Sequence, residues 1–148
     1  MSAAAPSDQP LRLGIAGLGT VGIGVVKIVQ RHADMLAMRA GRPVEITAIC
    51  ARDRKKNRDA DLSGFAWEDD AVALATRDDV DVFVELIGGD QGPAKDATEA
   101  AIRAGKDVVT ANKAMLAHHG QALAELAEAE GRVIRYEAAV AGGIPVIT

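Results

Sequence analysis

Gly17-Leu18-Gly19-Thr20-Val21-Gly22 decides how the rest of the chain is read. It fits G-x-G-x-x-G. An apolar run, Leu11 to Ala16, stands before it, and a stretch with helical apolar spacing (Val21, Val25, Ile28, Val29) follows. A strand, a glycine turn and a helix in that order are the context that gives the motif meaning. Gly17 permits the tight turn, Gly19 lets a backbone approach a pyrophosphate, and Gly22 lets helix and strand pack closely. The N–H groups and positive end of the helix attract phosphate. Taken alone the motif leaves three readings open: a dinucleotide, another nucleotide such as S-adenosylmethionine, or a turn with no ligand.

Outward from the loop, strand-like and helix-like stretches alternate. The spacing predicts a helix over Thr20 to Met38, a turn at Gly41-Arg42-Pro43, and a strand over Val44 to Ala51. A short helix through Ala71 to Thr76 follows the capping pair Asp69-Asp70. Val80 to Ile87 reads as a strand covered on both faces. Pro93 to Ala104 reads as a helix and Asp107 to Ala111 as a strand. His118 to Glu130 reads as a helix, with His118 and His119 at its entry, and Arg132 to Ala139 as the last strand. The alternation predicts an α/β domain of Rossmann-like type, a doubly wound parallel sheet with helices on both faces. Residues 1–10 are expected to be a disordered tail and residues 11–148 one NAD(P)-binding domain.

Composition agrees. The chain of 148 residues is 49% hydrophobic but only 3% aromatic, so its core must be built from Ala, Val, Leu and Ile. A net charge of −4 argues against a general nucleic-acid binder. No apolar run is long enough to span a bilayer, and the N-terminus lacks the basic head of a signal peptide. The single cysteine, Cys50, rules out an internal disulfide and suits a cytoplasmic protein.

The end of the second strand bears on cofactor choice. NAD sites usually place Asp or Glu there, for the ribose hydroxyls. Here Arg52 follows Ala51, with Lys55, Lys56 and Arg58 just beyond. A guanidinium offers a planar fork of donors to a 2′-phosphate. NADP(H) is therefore the expected cofactor, with NAD(H) possible, and a solvated basic loop is the alternative. Arg52 lies farther from the glycine loop than the roughly 20 residues usual for the ribose contact. Glu85, inside an apolar strand, needs a partner if it is buried. In Thr110-Ala111-Asn112-Lys113 a polar turn places a cation near the reacting end of the cofactor.

Four segments recur in one order: GLGTVG at Gly17 to Gly22, VELIGG at Val84 to Gly89, GKDVVTANKAMLAHHG at Gly105 to Gly120, and YEAAVAGGIP at Tyr136 to Pro145. Together they resemble homoserine dehydrogenase over nearly all of Leu11 to Thr148. The resemblance implies reduction of aspartate 4-semialdehyde to L-homoserine, on the route to threonine, methionine and isoleucine. It implies a second, substrate-binding and dimer-forming domain outside this chain, so that this piece alone is expected to be inactive. Gly17, Leu18, Gly19, Thr20, Val21 and Gly22 would hold the pyrophosphate, with Gly88 against the cofactor. Thr110 and Lys113 would stand near the nicotinamide and the aldehyde, and Lys113 would steady charge on the aldehyde oxygen. The alternatives for Lys113 are an exposed turn lysine or one that only positions the cofactor. The resemblance further implies a sodium site, with a carboxylate oxygen from Glu137 and main-chain carbonyls from Val140, Gly142 and Ile144. An ordinary hinge turn is the alternative there. Another dehydrogenase of similar layout, and a module that senses a dinucleotide without chemistry, are the competing readings of the whole chain.

Overall fold

The computed structural model describes residues 9–52, 60–87 and 92–136. It contains β1 (Leu11–Ala16), α1 (Thr20–Arg31), α2 (Ala33–Ala40), β2 (Val44–Cys50), β3 (Ala66–Glu68) and α3 (Ala71–Ala75). These are followed by β4 (Val82–Glu85), α4 (Pro93–Arg103), β5 (Asp107–Thr110), α5 (Lys113–Glu130) and β6 (Ile134–Tyr136). The six strands form one sheet in the order β3-β2-β1-β4-β5-β6, and every pairing is parallel. This is the doubly wound order, in which the chain's direction of travel across the sheet reverses between β1 and β4.

Successive strand residues face opposite sides, and two cores result. Ile15, Ile46, Ile49 and Val84 pack with Val25, Val26 and Val29 of α1 on one face. Ala16, Ala48, Phe83 and Val108 pack on the other with Leu74 of α3, Ala97, Ala101 and Ile102 of α4, and Met115 and Leu123 of α5. Bulky β-branched residues fill the α1 side. Alanines line much of the other, and small side chains let three helices lie close to the strands. The aromatic-poor composition is thus met by interdigitated aliphatic packing, with Phe83 the largest fully buried side chain among the described residues.

Several boundaries differ from the sequence reading. The helix expected over Thr20 to Met38 is two helices, broken at His32 (φ −120°, ψ 33°). The apolar stripe of α1 ends at Val29, whereas α2 buries no residue fully. This extra helix accounts for the long interval between the glycine loop and Arg52. The strand expected at Val80 to Ile87 contracts to Val82–Glu85, with Ile87 in a bend. β3 was not foreseen; three residues carry no readable alternation. Helix α5 begins at Lys113, five positions before His118, because the Asn112 side chain accepts the N–H of Met115 and caps it there. The two histidines therefore lie within the helix, not at its entry. Of the last strand, Ile134–Tyr136 falls among the described residues. No helix among those residues is long and apolar enough to cross a membrane.

The strands are also tied at their N-terminal ends. The Arg12 guanidinium grips Asp81 through Nε and Nη2, at 3.1 and 3.0 Å, and the Arg12 N–H donates to the same carboxylate at 2.9 Å. Arg42 approaches it from the start of β2, at 3.8 Å. The bond from Arg12 holds the Asp81 carboxyl below the usual carboxylate range. A carboxyl depressed on folding stabilises the fold above its unfolded pKa of about 3.9, and that contribution is lost as pH falls through the lower, folded value. Asp81→Asn is therefore expected to lower the unfolding free energy at pH 7. Denaturant titrations at falling pH should show the deficit shrinking below about pH 4; an equal deficit at every pH contradicts the assignment.

Candidate functional site

The last residues of the strands form a row. Glu68, Cys50, Ala16, Glu85, Thr110 and Tyr136 are lateral partners across the sheet. Ligands of open α/β sheets bind outside this edge, at the point where the strand order reverses. That point lies between Ala16 and Glu85.

The glycine loop leaves β1 there. Gly17 N–H donates to Cys50 O at 2.9 Å, and Leu86 N–H donates to Ala16 O at 2.8 Å, so the ends of β1, β2 and β4 are bound together. Gly17 has φ 100°, a left-handed conformation that suits glycine. A Cβ there would also lie 2.5 Å from Leu86 O. At Gly22 a Cβ would fall 1.9 Å from Gly17 O, so the first turn of α1 sits directly on the loop. Gly19 is different: nothing lies within 4 Å of an added Cβ. The space beside it is open, as close approach of a ligand requires. Leu18 packs its side chain into the α1-side core at 5% exposure. Any ligand contact from Leu18 is therefore a main-chain contact.

Gly19 is also the N-cap of α1. It has no side chain with which to cap the helix, and the first turn carries no acidic residue. The first helical bond runs from Ile23 N–H to Gly19 O at 2.9 Å. The N–H groups of Thr20, Val21 and Gly22 thus have no carbonyl one turn behind them within the helix. Thr20 and Val21 are exposed. The site offers a positive helix end with donors and space, and the first turn of α1 carries no carboxylate, which suits a phosphate.

Arg52 is exposed, two residues past the end of β2. The rest of the basic run, Lys55, Lys56 and Arg58, lies outside the described residues. Cys50 is buried, and burial together with Asp70, Asp69 and Glu68 pushes its thiol pKa up. It is a core residue and a poor nucleophile.

On the other side of the reversal point, Glu85 is fully buried and has the partners its burial demands. Its Oε1 accepts the Thr110 hydroxyl at 2.5 Å and its Oε2 accepts the Ile87 N–H at 2.9 Å. Thr110 Oγ1 in turn accepts the Asn112 N–H at 3.0 Å. The Thr110 hydroxyl is therefore committed to this network. Asn112 and the role of Glu85 were not singled out from sequence; a buried acid at a strand tip was the one signal available. Lys113 follows as the first residue of α5 and is exposed. A cation at the positive end of a helix works against the helix dipole.

The His118 and His119 rings lie with centroids 6.2 Å apart and planes tilted by 47°, and no cluster able to hold a metal ion occurs among the described residues. Gly88, Glu137, Val140, Gly142 and Ile144 lie outside those residues.

Comparison with known proteins adds independent findings. The family model described as "Homoserine dehydrogenase, NAD binding domain" matches residues 17–137. Homoserine dehydrogenase of Neisseria gonorrhoeae is 44% identical over 139 residues, which covers 94% of this chain and 32% of that protein. The Corynebacterium glutamicum enzyme is 45% identical over 153 residues, covering 99% and 34%. The crystal structure of homoserine dehydrogenase from Thiobacillus denitrificans superposes with a TM-score of 0.81 at 35% identity, over 88% of this chain and 30% of that one. The chain spans about a third of the length of these curated relatives.

The loop geometry separates two glycines by role. Gly22→Ala must displace backbone and is expected to cost about 1 to 3 kcal/mol, the usual range for overpacking. Gly19→Ala meets open space and is expected to unfold close to wild type. Denaturant unfolding of both variants checks the contrast, and equal destabilisation would contradict it.

Proposed function

We propose that this chain, which belongs to the homoserine dehydrogenase NAD-binding family, binds NADP(H) across the reversal point between β1 and β4. It serves there as the cofactor half of an enzyme that reduces aspartate 4-semialdehyde to L-homoserine. The observation that carries this reading is the bare N-terminus of α1, open at Gly19 and walled by Gly17 and Gly22. The residues present fit a dinucleotide: donors for the pyrophosphate at Thr20 to Gly22, space for it beside Gly19, and an exposed guanidinium at the tip of β2.

The reduced nicotinamide, when bound, supplies a hydride to a carbonyl carbon. The chain's own groups bind, orient and stabilise. Arg52 holds the 2′-phosphate, because a guanidinium matches a phosphate's oxygens in pairs. The tip of β2 itself, Cys50-Ala51, carries no acid; Asp53 follows Arg52. Gly88 passes against the cofactor. Lys113 brings its ammonium to the N-terminal end of α5, where two positive sources act together to steady charge developing on the carbonyl oxygen. A module that only senses a dinucleotide has no need of a cation placed there.

The full-length protein acts as a homodimer on a small-molecule substrate, with proton transfer supplied from outside this chain. Glu137, with the carbonyls of Val140, Gly142 and Ile144, forms a set of hard oxygen donors suited to sodium. We assign the protein to the cytoplasm and to the pathway to threonine, methionine and isoleucine as part of the same proposal.

Arg52→Ala tests the cofactor assignment. It is expected to weaken NADPH binding by about tenfold or more, the range of one charge-assisted hydrogen-bonded contact, and to leave NADH affinity nearly unchanged. Titration of each nucleotide by nicotinamide fluorescence measures this, and an unaltered ratio of the two affinities rejects it.

A further inference from the structure

Glu85 is the only charged side chain fully buried among the described residues. It is the last residue of β4, in lateral register with Ala16 on one side and Thr110 on the other. Its two oxygens reach in different directions. Oε2 takes the N–H of Ile87, in the segment that leaves β4. Oε1 takes the hydroxyl of Thr110, at the end of β5. That hydroxyl accepts the Asn112 N–H, and the Asn112 side-chain oxygen accepts the N–H of Met115 in the first turn of α5. One buried carboxylate therefore governs the segment after β4 and the entry to α5.

Pairing of β4 with β5 does not need this acid. The parallel ladder already joins the two strands from Val82 to Glu85. Its neighbours Phe83 and Val84 are buried and apolar, and an apolar side chain would spare the desolvation cost of a carboxylate. The bonds it makes reach past the ladder, to main-chain and hydroxyl donors on both exits. Ile87 and Thr110 both donate, so both need acceptors, and a carboxylate supplies two where an amide supplies one.

We propose that Glu85 is a positioning residue for the nicotinamide half of the site. Through Ile87 on one side, and through Thr110 and Asn112 on the other, it holds the post-β4 segment and the Lys113 end of α5 at a fixed separation. This rests on the dinucleotide reading above. It assigns Glu85 no contact with cofactor or substrate.

The test compares two ligands that differ by the nicotinamide. NADPH and 2′-phospho-ADP-ribose are titrated calorimetrically into the wild-type chain and into Glu85→Gln, Thr110→Val and Thr110→Ser. Glu85→Gln is expected to weaken NADPH by about tenfold, as loss of a hydrogen bond to a charged group does. It should leave 2′-phospho-ADP-ribose within about twofold, a difference too small to mark a lost contact. Thr110→Val should repeat that selective loss, and Thr110→Ser, which keeps the hydroxyl, should bind both like wild type. A general loosening of the fold would weaken both ligands together. Equal loss of both, or no loss of NADPH, overturns the proposal while leaving the dinucleotide reading intact. If Glu85→Gln fails to fold, as judged by circular dichroism, the Thr110 pair decides by the same criteria. A wild-type chain that binds neither ligand overturns the dinucleotide reading, and this proposal with it.

Discussion

The contact between the first turn of α1 and the glycine loop beneath it is the constraint on which the rest depends. Gly22 sits so close to the Gly17 carbonyl that no side chain fits between them. Gly17 is pressed against the backbone of Leu86 and hydrogen-bonded to the end of β2. These contacts fix the start of the helix against the ends of β1, β2 and β4. They also leave open space beside Gly19, with Thr20 and Val21 exposed and no side chain capping the helix. Close backbone packing and an uncapped helix end are therefore neighbours in one loop: Gly17 and Gly22 let β1, β4 and α1 close together, and Gly19 leaves the helix end open.

The two faces of the sheet support this arrangement differently. The α1 side is filled by β-branched residues, which lock the helix that carries the loop. The opposite side is rich in alanine and holds α3, α4 and α5. Along the C-terminal edge of the strands several local rules of stability are broken. Lys113 opposes the dipole of its own helix, α1 lacks a side-chain cap, and Glu85 is an acid in an apolar strand. Sites where local preference is overridden are where chemistry is expected.

Much of this was legible in the sequence because it is written locally. β1 and the start of α1 follow from an apolar run ending in a glycine motif, and the start of α4 follows from its proline. The short helix behind Asp70 follows from its cap. The break at His32 was not legible, since no glycine or proline marks it; it is set by where the apolar stripe of α1 leaves the sheet. β3 is too short to show a period, and exists by pairing with β2. The start of α5 was misplaced because Asn112 was read as part of a turn and not as a cap. Glu85 could be recognised as needing a partner. The partner, Thr110, lies 25 positions away and is brought near only by the β4–β5 register.

The central claim is that a dinucleotide seats its phosphates on the N-terminus of α1. The most direct measurement is an amide-resolved NMR titration of the chain with NADPH. The account requires the largest and earliest shifts at Gly19, Thr20, Val21 and Gly22, saturating with the same curve as the nicotinamide signal. Saturable binding that leaves those four amides unmoved, or no binding at concentrations where the fold is intact, would contradict it.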